Sequence, residues 1–418
     1  MNLSLDSLPD RCDVLIVGAG PAGSAAAQLL ARAGRSVIMV DAQAFPRDKV
    51  CGDGLIPDAH HALAKLGVLE AVMAEARSST TLACIAPRGG RIEVPGSLAV
   101  LPRKRLDEII CRAAVDAGAR MFAPVRFTAP LRESANGSTG RVIGARLQHG
   151  TTSRDIAARW VVLASGAQPQ ATLAAGMCDR RTPSGIALRG YVRNPAMDQR
   201  ITSLEVVWHK RLSPGYGWIF PCGGSVFNIG VGVAQSHREE ADGRHAMKNI
   251  NLRDVFAAFK ELYPPARELV DGGIWQGEAG HELKGAPLRC SLEGARLETP
   301  GLLVTGEAAG STYAFTGEGI GKAMETAMHA AEAILASDDD ATVRADYVAR
   351  VLALKPRFAL YEEANRANAH PWLIDLLVWS AKRSPRRLRR MAGVLDETHI
   401  PTDAVSWRGV VRRLFDWR

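Results

Sequence analysis

Cys51 sits in the stretch "RDKVCGDGL", residues 47–55, between Val50 and Gly52, with charges at Arg47, Asp48, Lys49 and Asp53. A thiol in a polar, glycine-flanked turn can deliver a proton or relay one from water. A neighbouring cation lowers its pKa and apolar burial raises it. The plain alternative is a small cysteine that only packs. Further along, Tyr216, Trp218 and Phe220 alternate in "YGWIFP", residues 216–221. On a strand they share one face, an apolar wall carrying a hydroxyl and an indole N–H. Such a wall can floor a pocket for an apolar molecule, or it can be ordinary core. Glu278, His281 and Glu282 are close in sequence but lack a metal-ligand spacing, and a structural or solvated cluster is expected there. His60 and His61 are expected at the surface.

These groups need a scaffold, and the first forty residues describe one. Residues 13–17 read as a buried strand, and Gly18, Gly20 and Gly23 follow as G-x-G-x-x-G. Residues 24–33 read as an alanine-rich helix, "SVIMV" as the next strand, and Asp41 closes it. Gly18 permits the tight turn, Gly20 lets backbone approach a pyrophosphate, and Gly23 lets helix and strand pack closely. Pro21 and Ala22 complete the turn. The helix start offers unpaired N–H groups and a positive dipole end to phosphates. An acid about 20 residues on can hold ribose hydroxyls, which is where Asp41 lies. The order strand, glycines, helix, strand, acid indicates dinucleotide binding.

A single such unit at the N-terminus favours FAD over NAD. Three later segments agree. In residues 101–120 Arg103 precedes a helical apolar pattern and is expected to contact the cofactor. "RWVVLASG", 159–166, reads as a sheet strand ending over a nucleotide. In residues 301–334 a strand leads to Gly306 and Glu307, then to Gly317, Gly319 and Ile320 at the start of a helix. Glu307 can bind ribityl hydroxyls, and that helix start can bring N–H groups to the flavin or a phosphate.

The chain has 418 residues and 47% apolar composition, enough for a large core and two or three domains. Seven scattered cysteines, none in a C-x-x-C pair, argue against a zinc site or disulfide framework and for a reducing, cytoplasmic setting. No secretory signal or membrane-spanning run is expected. The net charge of +8 is uneven, because "AKRSPRRLRR", 381–390, holds six basic residues and no acid. A solvated helix face is one reading; an anionic membrane surface or an acidic carrier protein is the other. Nucleic acid is not expected, since no aromatic interleaving accompanies the run.

With these pieces together the chain resembles the geranylgeranyl reductase family of FAD-dependent oxidoreductases, within the para-hydroxybenzoate hydroxylase-like superfamily. "KVCGDGL", 49–55, is similar to that family's K-x-C-G-[DG] turn, and "YGWIFP" followed by "FNIGVGV" to its Y-x-W-x-F-P segment. Gly18, Gly20, Gly23, Asp41 and Arg103 match its FAD-side positions, and Glu307 stands where it usually has aspartate. "ASGAQPQ", 164–170, departs from the family's A-[DT]-G-x-x-S. The resemblance implies that Cys51 and Gly52 lie beside the flavin ring and that Tyr216, Trp218 and Phe220 face the substrate. It also implies reduction of carbon–carbon double bonds of an apolar, prenyl-like substrate by hydride transfer from reduced flavin. NADPH or a reduced ferredoxin would be the donor. A flavin-dependent monooxygenase or halogenase, acting on a small aromatic or carrier-bound intermediate, is the alternative.

The expected fold is mixed α/β. A Rossmann-like FAD-binding domain occupies 1–175 and 291–336, discontinuous in sequence, with a β-sheet substrate domain at 176–290 between its parts. "HELKGAPLR", 281–289, is expected to lead into the strand before residue 301. Residues 338–340 should cap a helix, and 341–418 should be helical, with 372–390 forming an amphipathic surface element next to the basic run.

Overall fold

The computed structural model describes residues 1–133, 140–178, 183–234, 236–239, 245–247, 250–277 and 279–395. Strand Arg11–Val17 is buried over its last four residues and lies between two parallel neighbours, Val37–Val40 and Thr152–Leu163. Arg120–Phe122 extends the parallel sheet beyond Val37–Val40, and Leu302–Val304 extends it beyond Thr152–Leu163. Strands Val37–Val40 and Leu302–Val304 are buried throughout, which is why "VIMV" and "LLV" are unbroken apolar runs. The antiparallel pair Arg126–Arg132 and Val142–His149 continues from the long strand Thr152–Leu163.

Helix Pro21–Arg32 packs on this sheet and against helix Ile320–Ala336 through small side chains, Ala22, Ala25, Ala26, Ala27, Ala323, Ala327 and Ala331. Alanine faces let two helices and a sheet approach closely. The chain therefore returns at Ile320, 288 residues after Arg32, to complete its first layer, as the discontinuous reading expects.

The second sheet runs in the order Ile274–Gln276, Gly185–Arg193, Val226–Ala234, Gly215–Gly223, Leu204–Val207, Arg77–Ile85, Arg91–Val100, Gly54–Leu55. Strands Arg77–Ile85 and Arg91–Val100 thus join this sheet rather than the nucleotide sheet, so it reaches outside 176–290. Leu204–Val207 pairs with Arg77–Ile85 in parallel and supplies the bond that draws them over. Within residues 281–289, strand Lys284–Leu288 pairs with Gly185–Arg193.

Asp339 caps helix Asp340–Ala364 through the Thr342 N–H at 2.8 Å. Helices Trp372–Lys382 and Pro385–Leu395 follow and cover Cys84, Val94, Val206 and Trp208 of the second sheet. The remainder of the expected helical region, 396–418, lies outside the described residues, as does Glu278. His60, expected at the surface, is buried within helix Pro57–Lys65, while His61 beside it is exposed.

Candidate functional site

Between the sheets lies a cavity of about 880 Å³. One end is the glycine turn. Gly18 holds φ +101, and a Cβ there would stand 2.3 Å from the Ala164 carbonyl oxygen. A Cβ on Gly23 would stand 1.8 Å from the Gly18 carbonyl oxygen, so the helix can start only where it does if both are glycine. Gly18, Gly20, Pro21 and Ala22 line the cavity; Gly23 stands behind them as a packing residue. Gly20 caps the helix without any side-chain hydrogen bond, which leaves the helix start open to a ligand. Ser165 also lines the cavity, and its buried hydroxyl has no partner.

Asp41 accepts from the Ala19 N–H at 3.0 Å and from the Gln43 N–H at 3.0 Å, and Arg47 reaches the same carboxylate at 3.3 Å. Arg47 also pairs with Asp107 at 3.0 Å, and Asp107 grips Arg103 through two bonds of 2.6 and 2.9 Å. The row Asp41–Arg47–Asp107–Arg103 fixes an acid and two cations along one wall. Asp107 is fully buried and Arg103 nearly so. Removing one partner from such a chain would strand a buried charge, at about 3–5 kcal/mol. Arg47 and Asp107 were invisible as a pair in the sequence, because 60 residues separate them.

Glu307, Gly317, Gly319 and Ile320 also line the cavity. Thr312 donates to Glu307 at 3.4 Å. Gly306 holds φ +64 and, like Gly23, serves packing: its absent Cβ would meet Ala22 Cβ at 2.7 Å. The open helix start, the acids at Asp41 and Glu307, and the orphaned Ser165 hydroxyl form a cradle that fits FAD.

The Cys51 turn lines the same cavity. Asp53 takes φ +64, a left-handed conformation that aspartate tolerates better than most residues. Its carboxylate is fully buried and accepts from the Arg103 N–H at 3.1 Å, from Asn228 Nδ2 at 2.7 Å and from the Tyr191 hydroxyl. Burial, against these donors, pushes its pKa up to about 6. Asn228 Nδ2 also donates to the Cys51 carbonyl at 2.8 Å, and Asn228 Oδ1 accepts from Trp218 Nε1 at 2.9 Å. Thus one asparagine joins the thiol turn to the aromatic strand. Burial raises the Cys51 pKa, and the Arg103 guanidinium opposes it. The thiol is therefore protonated at neutral pH.

Beyond the turn, Tyr216, Trp218 and Phe220 stand in a row on one face of strand Gly215–Gly223, as their alternation predicts. Ring centroids are 6.3 Å apart for the first pair and 6.4 Å for the second. Trp208 extends the row at 5.7 Å from Tyr216. The Tyr216 hydroxyl donates to the Thr316 carbonyl and ties the row to the Gly317 turn. Gly52 is confined by Phe220, whose Cε2 would lie 3.2 Å from an added Cβ. The glycines of "FNIGVGV" make room for the same wall. A Cβ on Gly230 would lie 2.4 Å from Trp218 Cζ2. Gly230→Ala is accordingly expected to force the indole out of place and cost about 1–3 kcal/mol, read by thermal unfolding. Unchanged stability would mean that the indole yields freely.

From the row the cavity continues between Ile56, Leu82, Leu98 and Val206 and ends under Ile374, Val378 and Leu395 of the C-terminal helices. Sequence reading missed Trp208, Asp107, Tyr191 and Asn228. Two of them carried a signal: Trp208 is an aromatic just before the "YGWIFP" strand, and Asn228 is the one polar residue of "FNIGVGV".

Comparison with known proteins agrees with this geometry. A family model described as an FAD binding domain matches residues 11–209. The chain is 34% identical over 333 residues to a menaquinone reductase of Mycolicibacterium smegmatis, covering 77% of this chain and 76% of that one. It is 30% identical over 335 residues to a digeranylgeranylglycerophospholipid reductase of Methanoculleus marisnigri, covering 78% and 77%. In fold it is similar to a geranylgeranyl bacteriochlorophyll reductase-like protein of Thermoplasma acidophilum, with TM-score 0.73 and 21% identity over 97% of this chain and 96% of that one.

Proposed function

Because the chain belongs to the geranylgeranyl reductase family of FAD-dependent oxidoreductases, we propose that it saturates carbon–carbon double bonds in an apolar, prenyl-like chain. The observation that carries this reading is the continuity of one cavity. It runs from the glycine turn, past Cys51, along the aromatic row, and into an apolar sleeve under the C-terminal helices. A small aromatic substrate would leave that sleeve empty; a prenyl chain fills it.

FAD, when bound and reduced, supplies a hydride to one carbon of the double bond. The protein's task is to supply a proton to the other. Cys51 suits it, because burial keeps the thiol protonated and Arg103 stands near enough to stabilise the thiolate left behind. Asn228 and Asp53 hold the turn that carries the thiol. Tyr216, Trp218 and Phe220 exclude water and align the chain. NADPH or a reduced ferredoxin is the proposed donor that restores the reduced cofactor. The long apolar substrate also calls for contact with a lipid phase.

The test is a stopped-flow experiment with anaerobically reduced holoenzyme. A prenyl quinone such as menaquinone is expected to reoxidise the flavin without oxygen, and the product should still carry two added hydrogens by mass spectrometry after its ring has been returned to the quinone in air. A product carrying an added oxygen atom, formed only in air, would overturn the reading. Cys51→Ala is expected to slow this single turnover about a hundredfold or more with little change in substrate affinity. An unchanged rate would leave Cys51 as a lining residue only.

A further inference from the structure

Helix Trp372–Lys382 has two faces. Ile374, Leu377 and Val378 point inward and line the cavity. Trp372, Leu376 and Trp379 point outward at i, i+4 and i+7, with 51%, 41% and 52% of their surface exposed. Seven large apolar side chains are exposed among the described residues, and three of them form this single stripe. A stripe of that kind on a surface helix marks an interaction site, whereas scattered apolar residues do not.

The charge around the stripe has one sign. Lys382, Arg383, Arg386, Arg389 and Arg390 are exposed along the end of this helix and along helix Pro385–Leu395. Arg383 lies over the Trp379 ring, 4.1 Å from its centroid. The single acid in residues 372–390, Asp375, is engaged by the Arg88 N–H at 3.0 Å, and the exposed Arg88 side chain adds a further cation at 4.0 Å. Helix Pro385–Leu395 repeats the arrangement. Met391, Val394 and Leu395 line the cavity, while Arg386, Arg389 and Arg390 face out. No helix among the described residues is long and apolar enough to cross a membrane.

We infer that the outer face of these two helices docks on an anionic lipid bilayer, with Trp372, Leu376 and Trp379 in the headgroup–acyl boundary and the arginines on lipid phosphates. Tryptophan is at home in that interface, and basic side chains are drawn to it by the surface potential. An in-plane helix with an apolar stripe and an arginine-rich flank is the form such contacts take. Docking would lay the roof of the cavity on the bilayer, and a chain dissolved in the lipid could then pass between the two helices into the apolar sleeve. That last step rests on the prenyl reading; the docking does not. An acidic protein would satisfy the arginines but gives no reason for two exposed tryptophans beside them.

The test uses the full-length holoenzyme and sedimentation with vesicles of phosphatidylcholine, alone or with about one third phosphatidylglycerol. Wild type is expected to bind the anionic vesicles, to bind the neutral ones far more weakly, and to be released by salt. Arg386→Glu/Arg390→Glu is expected to weaken binding at least about tenfold. Trp372→Ser/Trp379→Ser should weaken it comparably, while flavin content and single turnover with detergent-dispersed menaquinone stay as in wild type. No binding by wild type, equal binding to both vesicle types, or binding that survives both double variants would each overturn the inference. If wild type docks but no prenyl substrate reoxidises the flavin, the proposed reaction fails and the docking stands. If dispersed menaquinone is reduced and no vesicle is bound, the reverse holds.

Discussion

Gly23→Ala is expected to purify without flavin. The added methyl would stand 1.8 Å from the Gly18 carbonyl oxygen, 2.9 Å from its carbon and 3.1 Å from Ile16 Cγ2. The first two are backbone, so no side chain can swing aside. Helix Pro21–Arg32 must move off the sheet by more than an ångström, and its open N-terminus moves with it. A shift of that size separates the N–H groups from any phosphate they were placed to hold. Overpacking here costs about 1–3 kcal/mol of stability as well. Gly34→Ala provides the control. Gly34 also has positive φ, +80, but nothing lies within 4 Å of its absent Cβ. It should lose about 1 kcal/mol and keep its flavin. The measurement is flavin absorbance per mole of protein, before and after reconstitution with FAD. A Gly23→Ala protein that holds stoichiometric flavin would show that the cradle is not built as described.

What the sequence made legible was local. The glycine turn, Asp41 and the alternating aromatic row were readable because each depends on spacing within one element or one turn. The row appears on one face because a strand has period two, and no tertiary contact can change that. The groups that join elements were not readable. Nothing in the sequence pairs Arg47 with Asp107, or Asn228 with Cys51, 177 residues apart. Strands Arg77–Ile85 and Arg91–Val100 were misplaced for the same reason. Their apolar pattern says that they are strands, but only pairing with Leu204–Val207 decides which sheet receives them. His60 shows the limit at a single residue. Its twin His61 is exposed, and the burial of His60 comes from how helix Pro57–Lys65 lies on the rest of the chain. The family motif told that a cysteine turn and an aromatic strand belong to one site. The physical link between them is the amide of Asn228, a residue inside "FNIGVGV" whose polarity stood out among apolar neighbours.

Asp53 is where that linkage can be broken with the largest structural effect. Three donors from three elements converge on it: the Arg103 N–H, the Asn228 amide and the Tyr191 hydroxyl. Asp53→Ala leaves all three buried donors without their acceptor, each costing about 1–3 kcal/mol. A loss of about 3–5 kcal/mol is expected by chemical denaturation, with the Cys51 turn released from the aromatic strand. A loss below about 1 kcal/mol would mean that the convergence is not structural. The pH dependence gives a second handle. Burial pushes this carboxyl up to about 6 from the ordinary 3.8, although Arg189, Tyr191, Asn228 and Arg103 all favour its charged form. The folded protein therefore holds the proton more tightly than the unfolded chain. Its stabilising contribution is full below about pH 4 and is lost as pH rises through about 6. Asp53→Asn cannot ionise and lacks that slope. Between about pH 4.5 and pH 7.5 wild type should lose about 2 kcal/mol relative to Asp53→Asn, whatever their absolute stabilities. Parallel stability curves for the two proteins would place the carboxyl at an ordinary pKa and remove burial as its governing influence. A relative loss in wild type would mean that the turn holding Cys51 is secured best when Asp53 is neutral. Asp53 would then couple the position of the thiol turn to pH, with Asn228 carrying the link from its carboxylate to the aromatic wall.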